Sequence, residues 1–215
     1  MGTLNRETYR KLVVLGTIAR FGDGVYGSKR LQKIIYLGTR TATTKPFPYI
    51  RYFYGQYSQE LEDTKDQLLS MGLICAGPME TKHGIRINGR FISTGSGNIY
   101  RPAREPARFR ELFGKSDPQL DASIAGAVKN YGYLPEEKLI EIVYSLPEFQ
   151  GKAMNEAILD AELPERIEVG LTEEECEDLE LSLNPRLIHG ASLILNGLEG
   201  TEIDFSKLKT VSRLD

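Results

Sequence analysis

Tryptophan is absent from this 215-residue chain, and cysteine and histidine occur only twice each, at Cys75, Cys176, His83 and His189. Two cysteines that form no CxxC pair exclude a disulfide framework and a zinc ribbon, and they suit a reducing cytoplasm. Two histidines exclude a multi-histidine metal centre, so no metal is expected. Long apolar runs are missing too: the densest, Leu12 to Leu15, falls far short of the roughly 20 residues of a membrane-crossing helix. The opening stretch, Met1 to Glu7, leads into a polar helical pattern with no signal-peptide core. Myristoylation wants Ser or Thr at position 6, which is Arg6. A cytoplasmic protein without membrane contact is the expectation.

What the chain does have is enough apolar material for a core, at 40% hydrophobic residues, with 27% charged. Its length fits one sizeable domain or two small ones. The net charge of −3 hides a division. Residues 1–110 hold 18 Lys and Arg against 8 Asp and Glu, whereas residues 111–215 hold 9 against 22. Such asymmetry points either to a basic surface facing a polyanion or to two halves that dock and neutralise each other. The sequence predicts a basic domain over 1–110 and an acidic, all-helical region over 111–215 that folds back on it.

Asn5 is a good N-cap for a first helix reaching about Arg20, with Tyr9, Leu12, Val13, Gly16 and Ala19 as its apolar stripe. Ser28 caps a second, with Leu31, Ile34, Ile35 and Gly38 on one face and the lysines and arginines largely on the other. Tyr49 to Tyr54 reads as a short extended segment. Ser58 caps a third helix, whose inner face is Leu61, the aliphatic stem of Lys65, Leu68 and Leu69; Gly72 takes its left-handed terminus. Leu73 to Cys75 begins a strand. Ile85 to Ile87 and Arg90 to Ile92 flank Asn88-Gly89, a strong hairpin signal. Three helices followed by a hairpin is the order of a winged helix-turn-helix. In the acidic half, Asp117-Pro118 opens a helix that Gly132 closes, and Pro135 opens another ending before Pro147. A weaker helix is expected over Lys152 to Ala161. Thr172 with Glu175 makes a capping box, and Asn184-Pro185 starts a last helix to about Leu198. The predicted fold class is therefore mainly α with a small β-hairpin wing.

Several of these segments resemble a known family. Arg30-Leu31-Gln32-Lys33-Ile34-Ile35-Tyr36-Leu37 resembles the "KLQK-aliphatic-Tyr" helix of the Panacea family and its YwgA-like relatives. Phe53-Tyr54-Gly55-Gln56-Tyr57-Ser58 resembles their "Tyr-Gly-Pro-Tyr-Ser" turn, with Gln56 standing where proline is usual, and Met71-Gly72-Leu73-Ile74 follows as in the family. Tyr131-Gly132 to Leu139 and Tyr144-Ser145-Leu146-Pro147-Glu148 resemble a later helical stretch. The pieces cover residues 8–150, and residues 151–215 have no counterpart. The resemblance implies a winged-helix-like domain whose relatives include antitoxins and proteolytic adaptors. It carries no catalytic residues.

A winged helix ordinarily places its third helix in the major groove. Here that helix bears Glu60, Glu62, Asp63 and Asp66 against Lys65, and phosphates repel such a surface. These four acids, with Tyr57, are candidate contacts to a protein partner. Lys29, Arg30, Lys33, Arg86 and Arg90 are the candidate nucleic-acid contacts on the alternative reading. The cluster of Tyr49, Tyr52, Phe53, Tyr54 and Tyr57 around Arg51 is expected to be packing, with any exposed remainder serving as a binding hot spot and a single-strand stacking platform as the rival use. Thr94 to Asn98 lacks the context of a phosphate-binding loop. No nucleophile motif surrounds any serine, and Cys176 lies among acids that raise its pKa. Neither catalysis nor a cofactor is expected. The predicted function is non-catalytic regulation through a protein partner, in the manner of an antitoxin or adaptor. In that reading the acidic segments contact the partner or mask the basic surface until one arrives. The alternative is a winged-helix DNA-binding transcriptional regulator. A homodimer is compatible with either, because the two halves carry opposite charge.

Overall fold

The computed structural model describes residues 1–79, 84–87, 90–93, 97–161 and 163–184, with only the backbone of 79, 84–87 and 90–93. Asn5 caps helix α1 (Arg6–Ile18) as expected, its side chain accepting from the Thr8 N–H at 2.8 Å. Ahead of it lies an unexpected strand, β1 (Gly2–Asn5). A two-residue strand, β2 (Val25–Tyr26), leads to α2 (Ser28–Thr39), whose cap is Gly27; the Ser28 hydroxyl is used elsewhere. The extended segment is half of a hairpin, β3 (Tyr49–Tyr52) and β4 (Gly55–Tyr57). Ser58 caps α3 (Gln59–Ser70) by accepting from the Leu61 N–H, and Gly72 beyond its end has φ 66°. Strands β5 (Ile74–Met79), β6 (Gly84–Ile87), β7 (Arg90–Ser93) and β8 (Gly97–Pro102) follow. β6 pairs with β7 with Ile87 opposite Arg90, the register that the Asn88-Gly89 signal calls for, although those two residues lie outside the described ones.

Helix α4 (Pro106–Ser116) has no counterpart among the predicted elements. The next, α5 (Pro118–Tyr131) and α6 (Glu136–Tyr144), do, and the Asp117 carboxylate accepts from the Leu120 N–H as the N-cap reading requires. Lys152 to Ala161 is not helical. Asn155 there has φ 65° and its N–H donates to the Arg51 carbonyl, and β9 (Ala157–Leu159) adds itself to the free edge of β3. Edge pairing satisfies more backbone groups than an isolated weak helix can. Strand β10 (Arg166–Val169) pairs antiparallel with β1, and α7 (Glu173–Leu183) carries the expected capping box, with reciprocal bonds between Thr172 and Glu175. The acidic half is thus not all-helical. Among the described residues the fold is mixed α/β, with several small antiparallel sheets beyond a single wing. The helix expected over 184–198 lies outside the described residues.

Residues 1–183 form one compact unit. The boundary expected at Arg110 falls inside α4, whose Phe113 is fully buried against α1: a Cβ on Gly16 would come within 2.5–2.7 Å of its side chain. A Cβ on Gly38 would come within 2.7 Å of Ile124, so α2 and α5 meet as closely. The charge asymmetry closes inside this unit. Arg20 pairs with Asp121, Lys29 with Glu136 at 3.3 Å and Arg40 with Glu148 at 2.6 Å, each pair joining the basic half to the acidic one. Among the described residues, no helix is long and apolar enough to cross a membrane.

Candidate functional site

The β3–β4 hairpin is inserted between α2 and α3 and lies over the first turns of α2. Gly55 makes this approach feasible. Its φ of +108° is strained for any other residue, and a Cβ there would sit 3.2 Å from Val143 and within 3.9 Å of the Lys33 ammonium. Between hairpin and helix is an open cavity of about 230 Å³ lined by Ser28, Lys29, Gln32, Lys33, Tyr52, Tyr54, Gly55, Gln56, Tyr57 and Glu62. The first turns of α2 and the Phe53–Ser58 turn, some twenty residues apart in sequence, therefore both line one cavity.

One wall is fully satisfied. The Gln32 amide donates to the Ser58 carbonyl and accepts from the Ser58 N–H, both at 3.0 Å. Ser28 donates to the Glu62 carboxylate at 2.5 Å, and the Lys65 ammonium pairs with the same carboxylate. Burial alone would raise the pKa of Glu62, but hydrogen bonds from Lys65 and Ser28 outweigh it and hold the pKa below its ordinary value. Burial likewise pulls Lys65 down, and its bond to Glu62 overrides this and leaves it raised.

The other wall is unsatisfied. Lys33 is 1% exposed and has neither a hydrogen bond nor an ion pair among the described residues. Desolvation pushes its pKa down to about 8, opposed by the charge of Glu136 and reinforced by Lys29 and Arg30. Gln56, which lines the same cavity, is 3% exposed, and among the described residues neither its amide oxygen nor its amide nitrogen has a partner. Unpaired buried polar groups cost about 1–3 kcal/mol each, so two on one wall call for an explanation.

Around the mouth, the hairpin tip is apolar and exposed. Phe53 is 65% and Tyr54 55% exposed, and Tyr52 stacks edge-on against Phe53 with ring centroids 4.9 Å apart. Lys29 lies 3.7 Å over the Tyr54 ring. The tip is held from below: the Tyr144 hydroxyl donates to the carbonyls of Tyr52 and Phe53, and β9 covers the outer edge of β3. Of the five-residue aromatic cluster, only Tyr49 is core, in edge contact with Tyr36, and Tyr57 is half-buried.

The candidate partner contacts divide. Glu60 pairs with Arg10 and Glu62 with Lys65, so both are internal ties, whereas Asp63 and Asp66 face solvent. Tyr57 lines the cavity and donates to Gln59. The candidate nucleic-acid contacts divide too. Arg30 donates to the carbonyls of Gly132 and Leu134 at 2.8 Å, capping the end of α5; Lys33 is buried; Lys29 sits at the cavity rim. Arg86 and Arg90 lie on the paired strands β6 and β7. Reading α2 as apolar on one face and cationic on the other is therefore corrected at Lys33, which the inserted hairpin covers. Gln56 stands out in the sequence only as a departure from proline, Gln32 only as part of the Arg30–Leu37 stretch, and Ser28 only as a helix cap, a role it does not take. A polar run of Ser-Lys-Arg-Leu-Gln-Lys opening a helix without an acid was the available signal.

Other expected features stand as follows. Cys176 is buried, and its thiol is pushed up first by burial and then by Glu180 and Glu175. His83, His189 and Thr94 to Ser96 lie outside the described residues. No cluster of three or more His, Cys, Asp or Glu is arranged to hold a metal among the described residues. No family model, no curated protein and no solved structure matches this chain.

Proposed function

We propose that this is a non-catalytic regulatory protein of the cytoplasm that binds a protein partner through the β3–β4 hairpin and the neighbouring face of α3. The observation that carries this reading is the exposed, buttressed aromatic tip of Tyr52, Phe53 and Tyr54. Rigid exposed aromatics are the side chains that dominate protein interfaces, because they bury large area at little entropic cost. The solvent-facing residues of α3 are Gln59, Asp63, Asp66, Gln67 and Ser70, with no cation among them. That composition disfavours phosphate and suits a partner of mixed or basic surface.

The finer fold reading is a winged-helix-like domain. Its support is that β2, between α1 and α2, pairs with β8, and β8 with β5, so the sheet brings the strand before the second helix beside the two strands after the third. The β6–β7 hairpin would extend that wing. The resemblance to the Panacea family agrees with this order and makes an antitoxin or adaptor the expected kind of regulator.

A photoreactive side chain placed at Phe53 tests the reading: a discrete protein adduct, whose purified partner loses affinity for Phe53→Ala, supports it. The rival DNA-binding regulator keeps one supporting observation, the paired strands carrying Arg86 and Arg90. Tight, steeply salt-dependent duplex binding that collapses in Arg86→Ala with Arg90→Ala, without any Phe53 adduct, would replace the protein-binding reading with it.

A further inference from the structure

We propose that the cavity between α2 and the β3–β4 hairpin receives a carboxylate on a side chain of the protein partner, held by the Lys33 ammonium and the Gln56 amide. The proposal rests on the protein-binding reading and specifies its chemistry. Three features of the cavity carry it.

The first is the pair of unsatisfied groups. Lys33 presents an ammonium with no hydrogen bond or close ion pair, and Gln56 an amide nitrogen and oxygen with no partner, among the described residues. An ammonium and an amide N–H lining one cavity match the two oxygens of a carboxylate. The remaining Gln56 acceptor needs a donor, which a simple anion lacks and a peptide supplies through its backbone N–H. The second feature is the end of α2. Gly27 offers no side-chain cap, the first turn holds no acid, and Lys29 and Arg30 stand there against the helix dipole. Ser28 and Lys29, at that positive end, line the same cavity, so an incoming anion is stabilised by the dipole as well as by both lysines. The third is Glu62 on the facing wall. Its fixed negative charge opposes a phosphate dianion, and a singly charged carboxylate meets less repulsion. The rings of Tyr52, Tyr54 and Tyr57 accommodate the aliphatic stem of a glutamate or aspartate, and the exposed tip provides the apolar contact on either side of it.

The test titrates the full chain with a capped pentapeptide, Ala-Phe-Glu-Phe-Ala, its glutamine counterpart, free glutarate and phenyl phosphate, following heat and the backbone amide signals of Gly55 and Gln56. The glutamate peptide is expected to bind and to shift both signals. Lys33→Met is expected to lower its affinity about tenfold or more, and the glutamine peptide to bind wild-type protein about as weakly as that. Lys29→Met, a change at the exposed rim that leaves the fold intact, is expected to weaken the glutamate peptide a few-fold. Equal binding of the glutamate and glutamine peptides overturns the proposal, as does glutamate-peptide affinity unchanged in both lysine variants. Glutarate binding without peptide binding overturns the partner as the source of the carboxylate, and phenyl phosphate binding more tightly than either overturns the carboxylate itself. A Phe53 adduct without peptide binding removes this pocket chemistry and leaves the protein-binding reading; peptide binding without an adduct or partner does the reverse.

Discussion

Lys65 on α3 and Lys33 on α2 are both buried, at 4% and 1% exposure, yet their surroundings are opposite. Lys65 meets Glu62, Ser28 and Asp66, and its ring neighbour Tyr100 lies 5.2 Å away. Lys33, one helix face over, meets none of these. The first arrangement is a seam: it joins two helices, and every charge in it is answered. The second is a charge held ready, which folding tolerates at a cost. Natural proteins retain such a cost where binding requires it, because a site that satisfied itself would have nothing left for a ligand.

The sharpest way to break this contrast is to remove one member of the satisfied seam. Lys65→Met strands the half-buried Glu62 and is expected to cost about 3 kcal/mol in chemical denaturation. Lys33→Met is expected to do the opposite and raise stability by about 2 kcal/mol at pH 7, since it deletes an unpaired buried charge while keeping the stem. If both variants lose stability alike, the contrast is void.

The pH dependence of folding sharpens it further. Lys33 titrates at about 8 when folded against its ordinary 10.5, so between these values the unfolded chain holds more protons than the folded one. Wild-type stability should therefore climb from pH 8 to about 9.5, and Lys33→Met should lack that climb. The groups bearing on Lys33 are Glu136, Lys29 and Arg30, and neutralising Glu136 should steepen it. Above about pH 10 burial of Tyr9, Tyr36 and Tyr49, which keeps their phenols protonated, turns the slope downward.

A smaller effect concerns the clamp between the two halves. The hydrogen bond from Arg40 leads the causes that hold Glu148 down at about 2, below its ordinary 4.5. Its contribution is present above pH 4.5 and lost as pH falls towards 2, so Glu148→Gln should flatten that acid limb by about 1 kcal/mol after solvent screening. The smallest change in stability is expected at the tip. Phe53→Ala should stay within about 0.5 kcal/mol of wild type in a thermal melt, although it is expected to abolish partner capture.

Local signals in the sequence were reliable where a single residue does the work. Asn5, Ser58 and Asp117 cap their helices, Thr172 and Glu175 form their box, and Gly72 takes positive φ. Signals failed where the partner lies far along the chain. Strand β1 has four residues and acquires its identity only from β10, with Gly2 opposite Val169. Ala157 to Leu159 reads as weak helix until the edge of β3 is present to pair with it. Tyr52 to Gln56 gives no turn dipeptide of the favoured hairpin kind, so β4 was invisible, and with it the cover over Lys33.

The sequence by itself determined where α1, α3, α5 and α7 begin, the inner faces of α3 and α5, and that the two halves carry opposite charge, because capping, periodicity and composition act over a few residues. Only the tertiary structure decided that these charges pair across the halves, that Glu62 turns inward and Glu60 pairs with Arg10, and that Lys33 and Gln56 line one cavity. Burial of a charge depends on which distant segment comes to lie over it, and no local pattern encodes that.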